Sequence, residues 1–176
     1  VFHYRYYRLL QMIWIAVLAA TTLMCWWYLP PQTWLWGSAV MCFTTIHFIL
    51  VHFFGTTRSK LILKEAGVAW CYAAGVVVGP WSLIDLPSWT HFFSFIFLFT
   101  IAFYNLTMFS LFEFTNDIKQ GQTSIATNYG KGRTGLILNM TFIISFTLGI
   151  SLLILGSNNP YYYLLNGYLL FISVFY

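Results

Sequence analysis

The sequence WTHFFSFIFLFTIAFYNLTMFSLF, residues 89–112, contains no Asp, Glu, Lys or Arg and is apolar along almost its whole length. About twenty such residues form a helix long enough to cross the hydrocarbon core of a bilayer. Five further apolar runs occur, at about 9–29, 32–54, 66–86, 134–156 and 160–176. Strands of a membrane barrel would be shorter and would alternate, so we predict helices, which satisfy their own backbone hydrogen bonds in lipid.

The amino-acid composition is that of a protein dissolved in lipid rather than in water. Of 176 residues, 60% are hydrophobic and 7% are charged, whereas a soluble domain carries about 25% charged residues. The net charge is +4 without a basic low-complexity tail, so we expect no nucleic-acid partner. We predict an all-α fold, a polytopic bundle of six transmembrane helices in membrane lipid. It would form a single transmembrane domain over residues 1–176, which we interpret as truncated at both ends.

The basic residues are distributed asymmetrically between the connections. All of them lie in the chain start, the second connection or the fourth connection: Arg5, Arg8, Arg58, Lys60, Lys64, Lys119, Lys131 and Arg133. With six crossings, these positions fall on one side of the membrane, which the positive-inside rule makes the cytoplasmic side. We therefore expect an integral protein of the bacterial inner (plasma) membrane, with the 55–65 and 113–133 connections in the cytoplasm.

The longest polar stretch is LFEFTNDIKQGQTSIATNYGKGRTG, residues 111–135. Glu113 and Asp117 are four residues apart, so a continuing helix would place both carboxylates on one face, about one turn apart. Like charges repel, and a cation such as Mg²⁺, which binds carboxylates together with water and phosphate oxygens, would stabilise the pair. Gly121 would allow the chain to turn sharply. Spacing alone leaves a Mg²⁺–diphosphate site and an ordinary solvated loop as open alternatives.

The same stretch carries a longer pattern, Glu113-x-x-x-Asp117-x-x-x-Gly121-x-x-Ser124-Ile125-x-x-x-x-Gly130. It resembles the second aspartate-rich motif of the UbiA superfamily of intramembrane prenyltransferases. The earlier Arg58-Ser59-Lys60, followed by Gly67, Gly75 and Gly79, is similar to the basic loop and glycine-rich helix of that family. The resemblance covers nearly the whole chain and would align its six helices with the third to eighth of the family's nine. The family's first aspartate-rich motif does not occur in this chain.

The resemblance implies an enzyme that transfers an isoprenyl group from an isoprenyl diphosphate to an aromatic or other lipophilic acceptor with Mg²⁺. It implies that Glu113 and Asp117 are the metal ligands and catalytic residues. Basic side chains would contact the diphosphate, namely Arg58, Lys60, Lys119, Lys131 and Arg133. The alternative is a non-catalytic UbiA-like subunit, which keeps the fold and serves as a scaffold for membrane-protein partners in a larger complex.

Two sets of side chains within the apolar runs also bear on function. His47 and His52 share one run and suggest a haem-bearing electron-transfer subunit. However, five residues turn a helix by about 140°, so the two rings cannot face one haem, and packing is the simpler interpretation. The aromatic side chains of the 89–112 run either line a channel for a prenyl chain or pack within the bundle: Phe95, Phe99, Phe103 and Phe112.

Overall fold

A computed structural model describes residues 2–54, 61–84 and 88–155, without the side chains of residues 2–8, 52, 54, 61–63 and 155. The described residues form an all-α structure of six helices. These helices are α1 (Phe2–Tyr28), α2 (Pro31–Phe54), α3 (Leu61–Ser82), α4 (Trp89–Phe112), α5 (Phe114–Gln120) and α6 (Ile125–Leu155). Helices α1, α2, α4 and α6 each contain a stretch that is long and apolar enough to cross a membrane.

The predicted all-α class is confirmed, and the first four apolar runs each overlap one helix, from α1 to α4. The fifth run begins at 134, whereas α6 begins at Ile125, because the polar residues before 134 are also helical. Helix α5 was not predicted, since its seven residues carry no long apolar pattern. The sixth predicted run, 160–176, lies outside the described residues.

The helices pack in an antiparallel series in which α2 contacts α3, α3 contacts α4, and α4 contacts α6. Small side chains allow a close approach in this series, and Ala69 and Ala73 of α3 are completely buried. Phe97 of α4 and Leu152 of α6 are also completely buried. No part of the apolar span of α1 is buried against the rest of the described chain. The buried hydrophobic residues therefore come from α3, α4 and α6, and α2 packs against α3 at the edge of this core.

The antiparallel order defines two ends of this bundle. At the Ser82 end, α2 and α4 begin and α3 ends, and the hydroxyls of Thr33 and Ser82 are 2.6 Å apart. At the α5 end, α3 and α6 begin and α4 ends, and the short helix α5 joins α4 to α6. The polar stretch at 111–135 is located at the α5 end.

Helix α6 is interrupted near its start. Gly130 has φ 78° and ψ 159°, a conformation that is essentially restricted to glycine. The hydroxyl of Thr134 donates a hydrogen bond of 2.9 Å to the Gly130 carbonyl oxygen immediately after this interruption. The first turn of α6 is therefore a separate short piece, and the long apolar helix follows it.

Candidate functional site

The site begins at the junction between α4 and α5, which Glu113 occupies. The Glu113 N–H donates to the carbonyl oxygen of Phe109 at 2.9 Å, and the Asp117 N–H donates to the Glu113 carbonyl oxygen at 2.8 Å. Helical hydrogen bonding therefore continues through the junction between the two helices. The two carboxylates nevertheless have different surroundings, because Glu113 is exposed and Asp117 is buried, with 7% of its surface accessible.

The turn after α5 directs the chain into α6. Gly121 has φ 65°, in the left-handed region, and its N–H donates to the carbonyl oxygen of Ile118 at 3.3 Å. The Gln122 N–H donates to the Asp117 carbonyl oxygen at 2.8 Å. A glycine adopts this conformation without steric cost and commonly ends helices. The predicted sharp turn at Gly121 is confirmed.

The first turn of α6 is held by side chains from two other helices. The Ile125 N–H donates to Oε1 of Glu65 in α3 at 3.2 Å. The Ala126 N–H donates to Oγ of Ser110 in α4 at 2.8 Å. The first N–H groups of a helix lack partners within that helix, so these bonds satisfy two buried donors. Three helices are thereby joined at the α5 end.

Glu65 is the functional candidate that the sequence did not single out. Only 8% of its surface is accessible, and Oε2 is buried without a hydrogen-bond partner among the described residues. Burial raises the pKa of this carboxyl above its ordinary value of 4.5, and the negative charge of Asp117 raises it further. Its own backbone N–H, the charge of Lys64 and the N–H of Ile125 act in the opposite direction on this pKa.

The hydrophobicity pattern of the sequence does not identify Glu65 as a site residue, for two reasons. It was assigned to the charged 55–65 connection, but α3 begins at Leu61 and includes it. Its burial depends on the start of α6, sixty residues later in the chain. The available local signal was an acidic residue directly before an apolar run, which is also common in solvated connections.

Basic side chains surround the α5–α6 connection. Lys119, Lys131 and Arg133 are exposed, and Lys131 Nζ is 4.9 Å from the centre of the Phe114 ring, a cation–π distance. Lys64 is half-buried, and its Nζ donates to the carbonyl oxygen of Thr123 at 3.4 Å. The predicted diphosphate contacts Arg58 and Lys60 lie outside the described residues.

The carboxylates of Glu65 and Asp117 have the chemistry of ligands for a divalent cation at the α5 end. Glu65 supplies a buried oxygen that lacks a partner, and the charge of Asp117 acts on the same carboxyl. The described part of the chain contains no group of three or more His, Cys, Asp or Glu side chains that could hold a metal ion. Mg²⁺ typically uses one or two carboxylates and completes its coordination with water and phosphate oxygens. A two-carboxylate site of that kind fits these residues.

A separate cavity of about 560 Å³ lies between α2, α3 and α4 towards the Ser82 end. Its lining is largely apolar and includes the aromatic side chains of Trp36, Trp70, Trp81, Phe92 and Phe95. Trp70 follows Glu65 by five residues, so the two side chains leave α3 about 140° apart. The cavity therefore lies on a different face of α3 from the carboxylates.

The structure shows where the phenylalanines of the 89–112 run and His47 lie in the bundle. Of the four phenylalanines considered for a prenyl channel, Phe95 lines the cavity, Phe99 and Phe103 stack on each other, and Phe112 is exposed. The ring of His47 lies directly against Gly67 of α3, as expected for a packing role. The side chain of His52 is not described.

The predicted site residues thus differ in their exposure to solvent. Asp117 is buried with Glu65 beside the start of α6, whereas Glu113, Lys119, Lys131 and Arg133 are exposed around it. No known protein family, curated protein or solved structure matches this chain.

Proposed function

We propose that this chain belongs to a UbiA-like intramembrane prenyltransferase. The enzyme transfers an isoprenyl group from an isoprenyl diphosphate to an aromatic or other lipophilic acceptor, with Mg²⁺ as cofactor. The observation that carries this proposal is the burial of Asp117 at the α5 end of an apolar helical bundle. Asp117 occupies an aspartate position of the motif that the sequence resembles, and a buried charge requires a compensating partner.

The surroundings of Asp117 support an anionic substrate. Lys119, Lys131 and Arg133 are exposed on α5 and on the start of α6, where they are accessible to a diphosphate. Asp117 would hold the cation directly, and Glu113, exposed one turn earlier, would act through a water molecule. When bound, Mg²⁺ offsets the negative charge of the departing diphosphate. The apolar helices around the site bind the isoprenyl chain and exclude water from the activated allylic group.

The experiment for this function measures binding of a non-hydrolysable isoprenyl diphosphate analogue to the full-length protein, with and without Mg²⁺. Wild type is expected to bind in a Mg²⁺-dependent manner, and Asp117→Asn is expected to lose this binding because the substitution keeps the shape but removes the charge. Turnover of Asp117→Asn should fall about a hundredfold or more, equivalent to about 2.7 kcal/mol of barrier. Equal binding by both proteins, or none by either, would reject the enzymatic interpretation.

A scaffold subunit without catalytic activity is the second candidate. The exposure of Glu113 favours it, because the two motif carboxylates do not share one buried environment. In that case Asp117→Asn would relieve repulsion with Glu65, leave folding unchanged or improved, and leave binding of membrane-protein partners intact.

We also propose that the protein resides in the bacterial inner membrane with the α5 end in the cytoplasm. The one-sided placement of Lys and Arg supports this orientation. Gln122 is exposed beside the Gly121 turn. In a variant without Cys25, Cys42 and Cys71, Gln122→Cys is expected to resist an impermeant thiol reagent in intact cells and to react after lysis. Reaction in intact cells would reverse the orientation.

A further inference from the structure

Glu65 and Asp117 have an unusual combination of burial and charge. Of the three acidic residues that the structure describes, these two are buried and Glu113 is exposed. They come from different helices, α3 and α5, and the start of α6 packs against Glu65. The charge of Asp117 acts on the Glu65 carboxyl. An unpaired carboxylate is costly to bury, so Glu65 requires a proton or a cation to compensate its charge.

The hydrogen bonds distinguish the two oxygens of Glu65. Oε1 accepts the Ile125 N–H at 3.2 Å, which fixes the side chain against α6. Oε2 is buried and has no partner in the described part of the chain. The nearest basic side chain in sequence, Lys64, directs its Nζ to the Thr123 carbonyl oxygen instead. Oε1 of Glu65 therefore anchors the start of α6, and Oε2 is available to a ligand.

We propose that Glu65 is a ligand, together with Asp117, of a divalent-cation site between α3, α5 and the start of α6. The ligand is a hard cation such as Mg²⁺ or Mn²⁺, which prefers carboxylate and water oxygens. This inference rests on the proposed function and adds to it a ligand from outside the motif. Glu65, rather than Glu113, is then the direct carboxylate partner of Asp117, and the remaining coordination positions stay open for water and diphosphate oxygens.

Two variants distinguish a role of Glu65 as a cation ligand from a role as a cap of α6. In Glu65→Gln, the amide oxygen still accepts the Ile125 N–H, but the charge and the second anionic oxygen are lost. In Ser110→Ala, the charge remains, but the other bond to α6, from the Ala126 N–H, is lost. If Glu65 serves only as a cap of α6, Ser110→Ala should lower stability more than Glu65→Gln does. A cation ligand predicts that only Glu65→Gln changes metal binding.

The test is titration of the purified full-length protein with Mn²⁺ alone, followed by the loss of the electron paramagnetic resonance signal of free Mn²⁺. Wild type and Ser110→Ala are expected to bind Mn²⁺ with similar affinity. Glu65→Gln and Asp117→Asn are expected to bind about tenfold more weakly or worse. Added Mg²⁺ should displace the bound Mn²⁺. Circular dichroism verifies that each variant is folded, and Glu65→Asp replaces Glu65→Gln if the latter does not fold.

Three outcomes would overturn the proposal: no Mn²⁺ binding by wild type, unchanged binding by Glu65→Gln, or a larger loss in Glu113→Gln than in Glu65→Gln. The unchanged Glu65→Gln would indicate that Glu65 holds a proton and serves only as a cap. The result is separable from the proposed function. Mn²⁺ binding without binding of the diphosphate analogue would reject the transferase and keep the cation site. Analogue binding that survives in Glu65→Gln would keep the transferase and reject Glu65 as a ligand.

Discussion

The α5 end and the Ser82 end of the bundle both bury polar side chains, but they satisfy them differently. At the Ser82 end, the Ser82 hydroxyl donates to the Gly79 carbonyl oxygen at 2.7 Å, so Thr33 is the donor in the Thr33–Ser82 bond. At the α5 end, Oε2 of Glu65 has no partner among the described residues. A fully paired hydroxyl network joins helices, whereas an unpaired buried carboxylate indicates a ligand.

The difference also involves charge. The side chains that join α2 to α3 at the Ser82 end are neutral hydroxyls, and the neighbouring cavity is lined mainly by aromatic and aliphatic side chains. The α5 end contains two buried carboxylates and an exposed group of basic residues. In a low-dielectric environment a buried charge is far costlier than a buried hydroxyl. The α5 end therefore carries the larger cost of burying polar groups and contains the groups that can bind a charged ligand.

The largest stability effect is expected from Gly67→Ala, near the α5 end. A Cβ at Gly67 would overlap the ring of His47. Overpacking of this kind typically costs about 1–3 kcal/mol. Thermal unfolding in detergent, followed by near-ultraviolet circular dichroism, should show a lower midpoint. The matched control is Gly75→Ala in the same helix, where a Cβ meets no atom within 4 Å, and it should be neutral or stabilising.

A double-mutant cycle tests the cause of this effect. Gly67→Ala should cost less in a His47→Ala background, because the smaller side chain leaves space for the new methyl group. An equal cost in both backgrounds would show that the α2–α3 contact at His47 is looser than the structure indicates. The α5 end would then lose one of the close contacts that position α3.

Ser110→Ala should have the next largest effect. It removes the acceptor of the buried Ala126 N–H and leaves this donor without a partner, at a cost of about 1–3 kcal/mol. Ser94→Ala is the matched control in α4, because the Ser94 hydroxyl donates to the Thr90 carbonyl oxygen of its own helix. That change should cost less than about 0.5 kcal/mol. Similar costs for the two variants would contradict the role of Ser110 in joining α4 to α6.

Much of the fold was predictable from the sequence because hydrophobicity along a membrane helix is a local property. The run at 89–112 coincides with α4, and the other runs within the described residues each overlap one helix. Helix α5 and the start of α6 are polar and were interpreted as a loop. Their position depends on the Gly121 turn and on bonds to Glu65 and Ser110, which are distant in sequence.

The candidate site was predictable only in part, for the same physical reason. Asp117 was identified from the motif pattern, and its burial supports a special role. Glu113, the other carboxylate of the pattern, differs from Asp117 in its surroundings, since the chain around the α4–α5 junction leaves Glu113 exposed. Glu65 belongs to no motif. Its importance emerges from non-local packing, which a single sequence does not display.

The pH dependence of stability should distinguish Glu65 from the neutral residues around it. Because burial and the charge of Asp117 raise its pKa above 4.5, despite the opposing charge of Lys64, the folded protein holds more protons at Glu65 than the unfolded chain does. Stability therefore falls as the pH rises from about 4.5 through the raised pKa. The Glu65→Gln variant has no carboxyl group at this position, so its stability does not fall with rising pH for this reason.

The measurement is the unfolding midpoint of wild type and Glu65→Gln over a pH series with a metal chelator present. The midpoint of Glu65→Gln should rise relative to that of wild type as the pH increases above about 4.5, and the difference should level off above the raised pKa. Ser110→Ala serves as the control, because its difference from wild type does not involve this proton. A difference between Glu65→Gln and wild type that is constant with pH would show that Glu65 is not destabilised by its burial.

The smallest effect is expected at the Ser82 end, where the Thr33–Ser82 bond joins α2 to α3. Thr33→Val and Ser82→Ala each remove one hydroxyl, and each should lower stability by about 1 kcal/mol. If the bond itself is responsible, the double variant should cost clearly less than the sum of the single variants, because the second change removes an already broken bond. Thr45→Val is the control in α2, since the Thr45 hydroxyl donates to the Met41 carbonyl oxygen of its own helix. Additive costs would show that the two hydroxyls do not stabilise the bundle through each other. Mn²⁺ binding should be the same in the Thr33 and Ser82 variants as in wild type, because these two residues lie at the opposite end from Glu65 and Asp117. A change in Mn²⁺ binding would show that the two ends are coupled through α3.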